Sequence, residues 1–132
     1  MELMLDTNIC IYLIKEHPRS VLERFATHAV GTIGISIVTL AELEYGVSKS
    51  SRPTKNLEAL DEFIAPLEVA LFDRPATAAY GKLRTTLEKK GQPIGSMDLL
   101  IAAHALSLRV RLITHNVKEF GRVPGLQVED WA

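Results

Sequence analysis

The chain has 132 residues, 47% hydrophobic and 23% charged, the composition of one ordinary globular domain spanning residues 1–132. A formal net charge of −1 gives no sign of nucleic-acid binding, so a polyanion partner would need the basic residues sorted onto one surface. No apolar run approaches the roughly 18 residues of a membrane span. The N-terminus also lacks the basic and apolar pattern of a secretion signal, so a cytoplasmic protein without membrane contact is expected. The one cysteine, Cys10, has no internal partner and reads as a small buried hydrophobe.

In chain order, "LML" (3–5) is a short apolar strand that runs into Asp6, Thr7 and Asn8. "NICIYLIKEH" (8–17) predicts a helix stopped by Pro18, and "RSVLERFATHA" (19–29) an amphipathic helix with Val21, Leu22 and Phe25 at helical spacing. "GTIGIS" (31–36) is a second strand, followed by a helix over 36–50 capped by Ser36. Pro53 suits the first turn of the next helix, and Pro66 lies beyond its end. "EVALFD" (68–73) is a strand, and residues 74–91 form a helix that stops at Gly91. "SMDLLIAAHALSL" (96–108) is a nearly all-apolar helix with Ser96 as its N-cap. "RLITHN" (111–116) and "LQVEDWA" (126–132) supply the last strands. Strands that alternate with helices predict an α/β fold of three layers with a central parallel sheet, whose ligands bind beyond the carboxyl ends of the strands.

Three carboxylates lie beside apolar sequence: Asp6 at the end of the first strand, Glu42 in "TLAELEYG", and Asp98 in the first turn of the most apolar helix. Asn116 ends a later strand, and Glu119 follows three residues on. Taken singly, Asp6 and Asp98 fit helix N-termini as well as they fit a metal site. Spacing places Glu44 nearer than Glu42 to the apolar arc of its helix, so periodicity leaves that choice open. Taken together, carboxylates gathered in one cleft need a counter-charge. Oxygen-only ligands point to Mg2+ or Mn2+, the ions of phosphoryl chemistry.

"MLDTN", "TLAELEYG", "GSMDLLIAAHAL" and "LITHNVKEF…VPGL…EDW" together resemble the PIN-domain ribonucleases, and more narrowly the VapC toxins of bacterial toxin–antitoxin pairs. The resemblance runs through the whole chain in order. It implies Mg2+-dependent endonucleolytic cleavage of RNA, with Mn2+ as the alternative ion, and a three-layer α/β/α fold. It assigns catalysis and metal binding to Asp6, Glu42 and Asp98, with Asn116 or Glu119 as the fourth ligand and Thr7, Asn8 and Thr114 as residues that hold the acids or waters. It also implies a homodimer and a VapB-like antitoxin, with operator DNA contacted only through that antitoxin. Within VapC the likeness is to the enterobacterial type, whose substrate class is initiator tRNA cut in the anticodon stem-loop.

Other residues carry blander expectations. His17, His28, His104 and His115 have no zinc-ligand spacing. His104 reads as a hydrogen-bonded packing residue, His115 as an exposed bystander and Trp131 as a packing anchor. Lys82, Arg84, Lys89 and Lys90, or alternatively Arg109, Arg111, Lys118 and Arg122, are candidate phosphate contacts. A receiver-like phosphoacceptor domain, with Asp73 in the accepting role, and a PIN domain that binds RNA without cutting it are the competing readings.

Overall fold

The structure, a computed structural model, describes residues 1–132. Its elements in order are β1 (Leu3–Leu5), α1 (Thr7–Lys15), α2 (Arg19–Ala26), β2 (Ile33–Ser36), α3 (Ile37–Ser48), α4 (Pro53–Ile64) and β3 (Glu68–Ala70). The second half adds α5 (Arg74–Lys89), α6 (Ser96–Leu108), β4 (Arg111–Ile113), α7 (Val117–Phe120) and β5 (Val128–Glu129). All five strands are parallel, in the order β3-β2-β1-β4-β5.

The side-chain alternation of β1 divides the core in two. Leu3 and Leu5 face one way, onto Ile33, Ile35, Ile113 and the apolar sides of α1 to α4. Met4 faces the other way, with Leu112, onto Leu83 and Leu87 of α5 and Leu99 to Ala105 of α6. Every residue of β1 is buried, as a central parallel strand with helices on both faces must be. This is the three-layer α/β/α arrangement expected from the alternation of elements. No helix is long and apolar enough to cross a membrane.

Several boundaries differ from the sequence reading. α1 ends at Lys15 rather than at Pro18: Glu16 takes a left-handed conformation (φ 57°) and its N–H closes the helix on Leu13 O at 3.2 Å. β3 is three residues long, because Asp73 already serves as N-cap of α5, accepting from Ala76 N at 3.2 Å. That exposed capping role removes Asp73 as a receiver-type phosphoacceptor. Ser96 is the first residue of α6 and Gly95 is its N-cap. The four-residue helix α7 was absent from the sequence reading, being too short for a periodic signal. Arg52 precedes Pro53 at the first turn of α4, as expected, and Trp131 is buried among the residues of the first core.

Gly34 is the tightest point of the sheet. A Cβ there would meet Glu68 O at 2.6 Å and the Met1 side chain closer still. Since β3 pairs with β2 at this register, the backbone oxygen cannot retreat without opening the sheet. Gly34→Ala should therefore destabilise the protein by about 1–3 kcal/mol, the usual cost of overpacking, read by urea denaturation.

Candidate active site

The strand order reverses at β1: β2 and β3 lie on one side, β4 and β5 on the other. The carboxyl ends of β1 and β4 thus flank a crevice of the kind in which open α/β sheets bind ligands. Asp6 follows β1 directly. Its backbone N–H donates to Ile113 O at 3.0 Å, and its Oδ1 accepts from Ile9 N at 2.9 Å, so one carboxylate oxygen caps α1. Its side chain is held at an exposure of 4%. Burial raises its pKa and the charge of Glu42 adds to that, while Thr114, the Ile9 N–H and His115 pull the other way.

Glu42 comes from α3. Thr7 Oγ1, at the start of α1, donates to Glu42 Oε1, and the Thr39 hydroxyl lies 3.4 Å from that of Thr7. Glu42 is half-buried on this inward side, whereas Glu44 is exposed. The spacing argument that favoured Glu44 fails because α3 packs on more than one side, with Val38 in the second core and Leu43 in the first.

Asp98 stands in the first turn of α6 and Glu119 in α7. Gly95 N donates to Glu119 Oε1 at 2.8 Å, and Asn116 Nδ2 donates to Glu119 Oε2 at 2.7 Å. A Cβ on Gly95 would lie 3.7 Å from Glu119 Oε1 and 3.8 Å from Asp98 Oδ2, so the two carboxylates share one cradle. Burial, then the charges of Glu119, Asp6 and Glu42, push the Asp98 pKa up to about 6. The four acids, from four separate segments, therefore act on one another. No three acidic, His or Cys side chains are clasped tightly enough to hold an ion as they stand. The donor set nevertheless suits a hard divalent cation: carboxylate oxygens alone, several of them half-buried, with their like charges uncompensated.

Of the residues expected to support the acids, Thr7 and the buried Thr114 face them, and Thr114 Oγ1 also accepts from Asn116 N at 3.0 Å. Asn8 is exposed. The Gly95 N–H, which the sequence did not single out, anchors Glu119; the only trace of it was the loop "QPIG" beside the apolar helix. His115 is exposed at the crevice, its Nδ1 3.1 Å from Asp130 Oδ2. Among the candidate phosphate contacts, Arg84 is paired with Glu88 and Tyr80, Arg111 with Glu129, and Arg122 with Pro93 O. Lys82, Lys89 and Lys90 are exposed.

The protein is thus a doubly wound parallel α/β fold with acidic residues from four segments near its switch point. A family model described as PIN domain matches residues 3–126. Ribonuclease VapC2 of Rickettsia felis is 50% identical over 129 residues, covering 97% of this chain and 96% of the relative. The tRNA(fMet)-specific endonuclease VapC of Shigella flexneri is 44% identical, covering 100% of this chain and 99% of the relative. Among solved structures, DNA-bound VapBC from Salmonella typhimurium superposes with a TM-score of 0.94 at 42% identity, covering 100% of this chain and 99% of that one. VapBC2 from Rickettsia felis, bound to a promoter DNA fragment, gives 0.90 at 49% identity, with both chains fully covered. The chain belongs to the PIN-domain family, in its VapC ribonuclease branch.

The electrostatics of the cluster carry a pH dependence. With no ion bound, folded Asp98 keeps its proton up to about pH 6, against 3.8 for an ordinary aspartate. The folded state then holds the extra proton between those values, so this contribution to stability is complete below the lower one and is lost as pH rises through the upper. In EDTA, Asp98→Asn should melt higher than wild type above pH 6 and show a flatter dependence of Tm on pH. Identical pH profiles of the two would mean that the fold does not raise the Asp98 pKa.

Proposed function

We infer that this VapC ribonuclease is the toxin of a VapBC-type pair and stops translation by cutting initiator tRNA in the anticodon stem-loop. The substrate rests on the tRNA(fMet)-specific endonucleases that it resembles at full length. The cut requires a divalent ion, Mg2+ or Mn2+, held by Asp6, Glu42, Asp98 and Glu119. The observation that carries the reading is the convergence of these acids, from four segments, at the ends of β1 and β4. When bound, the ion supplies the positive charge that offsets the cluster and the scissile phosphate, and it lowers the pKa of the attacking water.

The protein's own groups divide the remaining tasks. Asp6 caps the α1 N-terminus through Oδ1, and Thr114 also holds its carboxylate. Thr7 orients Glu42, and the Gly95 N–H with the Asn116 amide orients Glu119. Asn116 thereby acts as the holder of the fourth acid, and Glu119 takes the ligand role that the sequence left between the two. Exposed Lys82, Lys89 and Lys90, together with the arginines near β4, offer positive charge to the RNA backbone.

A VapB-like antitoxin is the partner, as in the VapBC complexes that the chain superposes on. An apolar groove of about 410 Å3 runs between α1, α3 and α4, walled by Ile11, Ile14, Leu43 and Val47, with Glu42 on its rim. An apolar segment of the antitoxin fits along it and carries a basic side chain, Arg for its fork geometry, to the acids. That side chain competes with the ion.

Cleavage of purified initiator and elongator tRNAs with Mg2+, Mn2+ or EDTA tests the reading. A single cut confined to initiator tRNA, and lost in EDTA, is the expected result. Cutting of all tRNAs alike would overturn the substrate, and full activity in EDTA would overturn the ion. Asp6→Ala, Glu42→Ala and Asp98→Ala should each lower kcat by about a hundredfold or more, the scale on which charge-stabilising groups act. Glu44→Ala should cut at the wild-type rate, and Glu119→Ala should lose more activity than Asn116→Ala. Titration of Mn2+ against the toxin–antitoxin complex should show weaker ion binding than to the free chain. Equal affinity would leave steric blockage as the whole of inhibition.

A further inference from the structure

His104 is a buried ionisable group with no part in the proposed cleavage. It lies on α6, six residues beyond Asp98, with an exposure of 0%. Its Nδ1 is 2.7 Å from Ser36 Oγ. Ser36 is itself fully buried and is the N-cap of α3, its Oγ accepting from Val38 N at 3.0 Å. Val38 N–H occupies one lone pair of that oxygen, so the Ser36 hydroxyl can still pair with Nδ1, donating when the ring proton sits on Nε2 and accepting when it sits on Nδ1. Nε2 makes no well-formed hydrogen bond, with the Leu71 carbonyl only near enough to influence it. Burial holds the ring neutral by lowering its pKa. Phe72 packs edge-on against it, ring centroids 5.1 Å apart.

A leucine would fill this volume without the cost of about 1–3 kcal/mol that an unpaired buried polar atom imposes. What the imidazole supplies instead is the one side-chain hydrogen bond between the α3 segment and α6. Those two helices carry two of the acids, near enough for the charge of Glu42 to act on Asp98: Glu42 is six residues past Ser36, and Asp98 is six residues before His104. The repulsion among the acids acts to spread the helices at that end, and dispersion contacts between apolar side chains resist spreading without fixing a position. A directional bond deep in the core does fix one.

We propose that the Ser36–His104 hydrogen bond is a strut that sets the separation of Glu42 from Asp98, making His104 a positioning residue for divalent-ion binding and, through it, for RNA cleavage. The proposal rests on the reading of Asp6, Glu42, Asp98 and Glu119 as the ion site. His104 touches neither ion nor RNA; it acts only through the placement of α6 against α3.

The test pairs ion binding without RNA, read as the rise of Tm with Mn2+ concentration, with steady-state cleavage at subsaturating Mn2+. His104→Leu should weaken Mn2+ binding and lower kcat, each by roughly tenfold, since small displacements of reacting groups have effects of at least this size. KM for tRNA should stay unchanged. His104→Asn, whose Oδ1 can stand where Nδ1 stood and accept from Ser36, should restore most of both. If His104→Leu does not fold, Ser36→Ala removes the same bond from the other side and should show the same loss. A folded His104→Leu or Ser36→Ala with wild-type Mn2+ affinity and kcat overturns the strut, as does a loss that His104→Asn fails to restore. Asp98→Asn separates the two levels. Loss of its Mn2+ binding upholds the ion site whatever His104 does, and wild-type binding removes the ion site and the strut with it.

Discussion

Mutual repulsion among Asp6, Glu42, Asp98 and Glu119 is the constraint that the rest of the structure answers to. Three of the four carboxylates are held by neutral donors: the Ile9 N–H for Asp6, the Thr7 hydroxyl for Glu42, the Gly95 N–H and Asn116 amide for Glu119. Hydrogen bonds to the charged form lower a carboxyl pKa, but they add no net positive charge. Asp98 has no such donor among the site's hydrogen bonds, and it is the acid driven up to about 6. Burial first, and then the charges of its neighbours, favour the protonated, neutral form of that one residue. The two buried cores offset the resulting instability by holding α1, α3 and α6 to the sheet regardless of the charge at their ends.

β1 supplies three buried residues and then turns into α1 at once. A longer strand would carry Asp6 past the ends of β2 and β4, away from Glu42 in α3 and Glu119 in α7. The helix N-terminus is also part of the electrostatics. Capping of α1 by Asp6 sets its Oδ1 against free N–H groups, which favours the charged form that a cation needs. Capping and ion binding, which compete as explanations of Asp6 when the sequence alone is read, are therefore compatible roles for one carboxylate.

The layer architecture was legible because strands and helices alternate at full length, and Asp6 and Asp98 were legible because a charge beside an apolar run is conspicuous. Glu42 was not separable from Glu44 by periodicity: α3 presents apolar residues to both cores, so its buried arc is too broad to rank two neighbouring acids. Only the likeness of "TLAELEYG" to a family motif chose between them, and the exposure of Glu44 agrees. Asn116 and Glu119 were left as alternatives because sequence order cannot show that the amide of one grips the carboxylate of the other. Asn8, read as a supporting residue, is exposed, since the turn after β1 directs Thr7 inward and its neighbour out. The left-handed Glu16 and the Gly95 cap were missed for a similar reason: both are decided by what the backbone meets in three dimensions.

His104 shows how a residue can be assigned its packing correctly and its purpose incompletely. An apolar helix containing one histidine reads as a core element whose histidine is hydrogen-bonded, and the burial and the Ser36 contact agree. The partner is what changes the meaning. Ser36 caps the helix that bears Glu42, while His104 belongs to the helix that bears Asp98. A bond between these two residues joins, inside the core, the same two segments that carboxylate repulsion drives apart at the surface. Apolar packing alone leaves such a pair of helices free to slide by fractions of an ångström at little cost, because dispersion is non-directional. A site that must meet a small hard ion tolerates less than that, since Mg2+ requires near-ideal octahedral geometry. The buried polar pair therefore serves precision of placement more than net stability, and its unpaired Nε2 is the cost at which that precision is held.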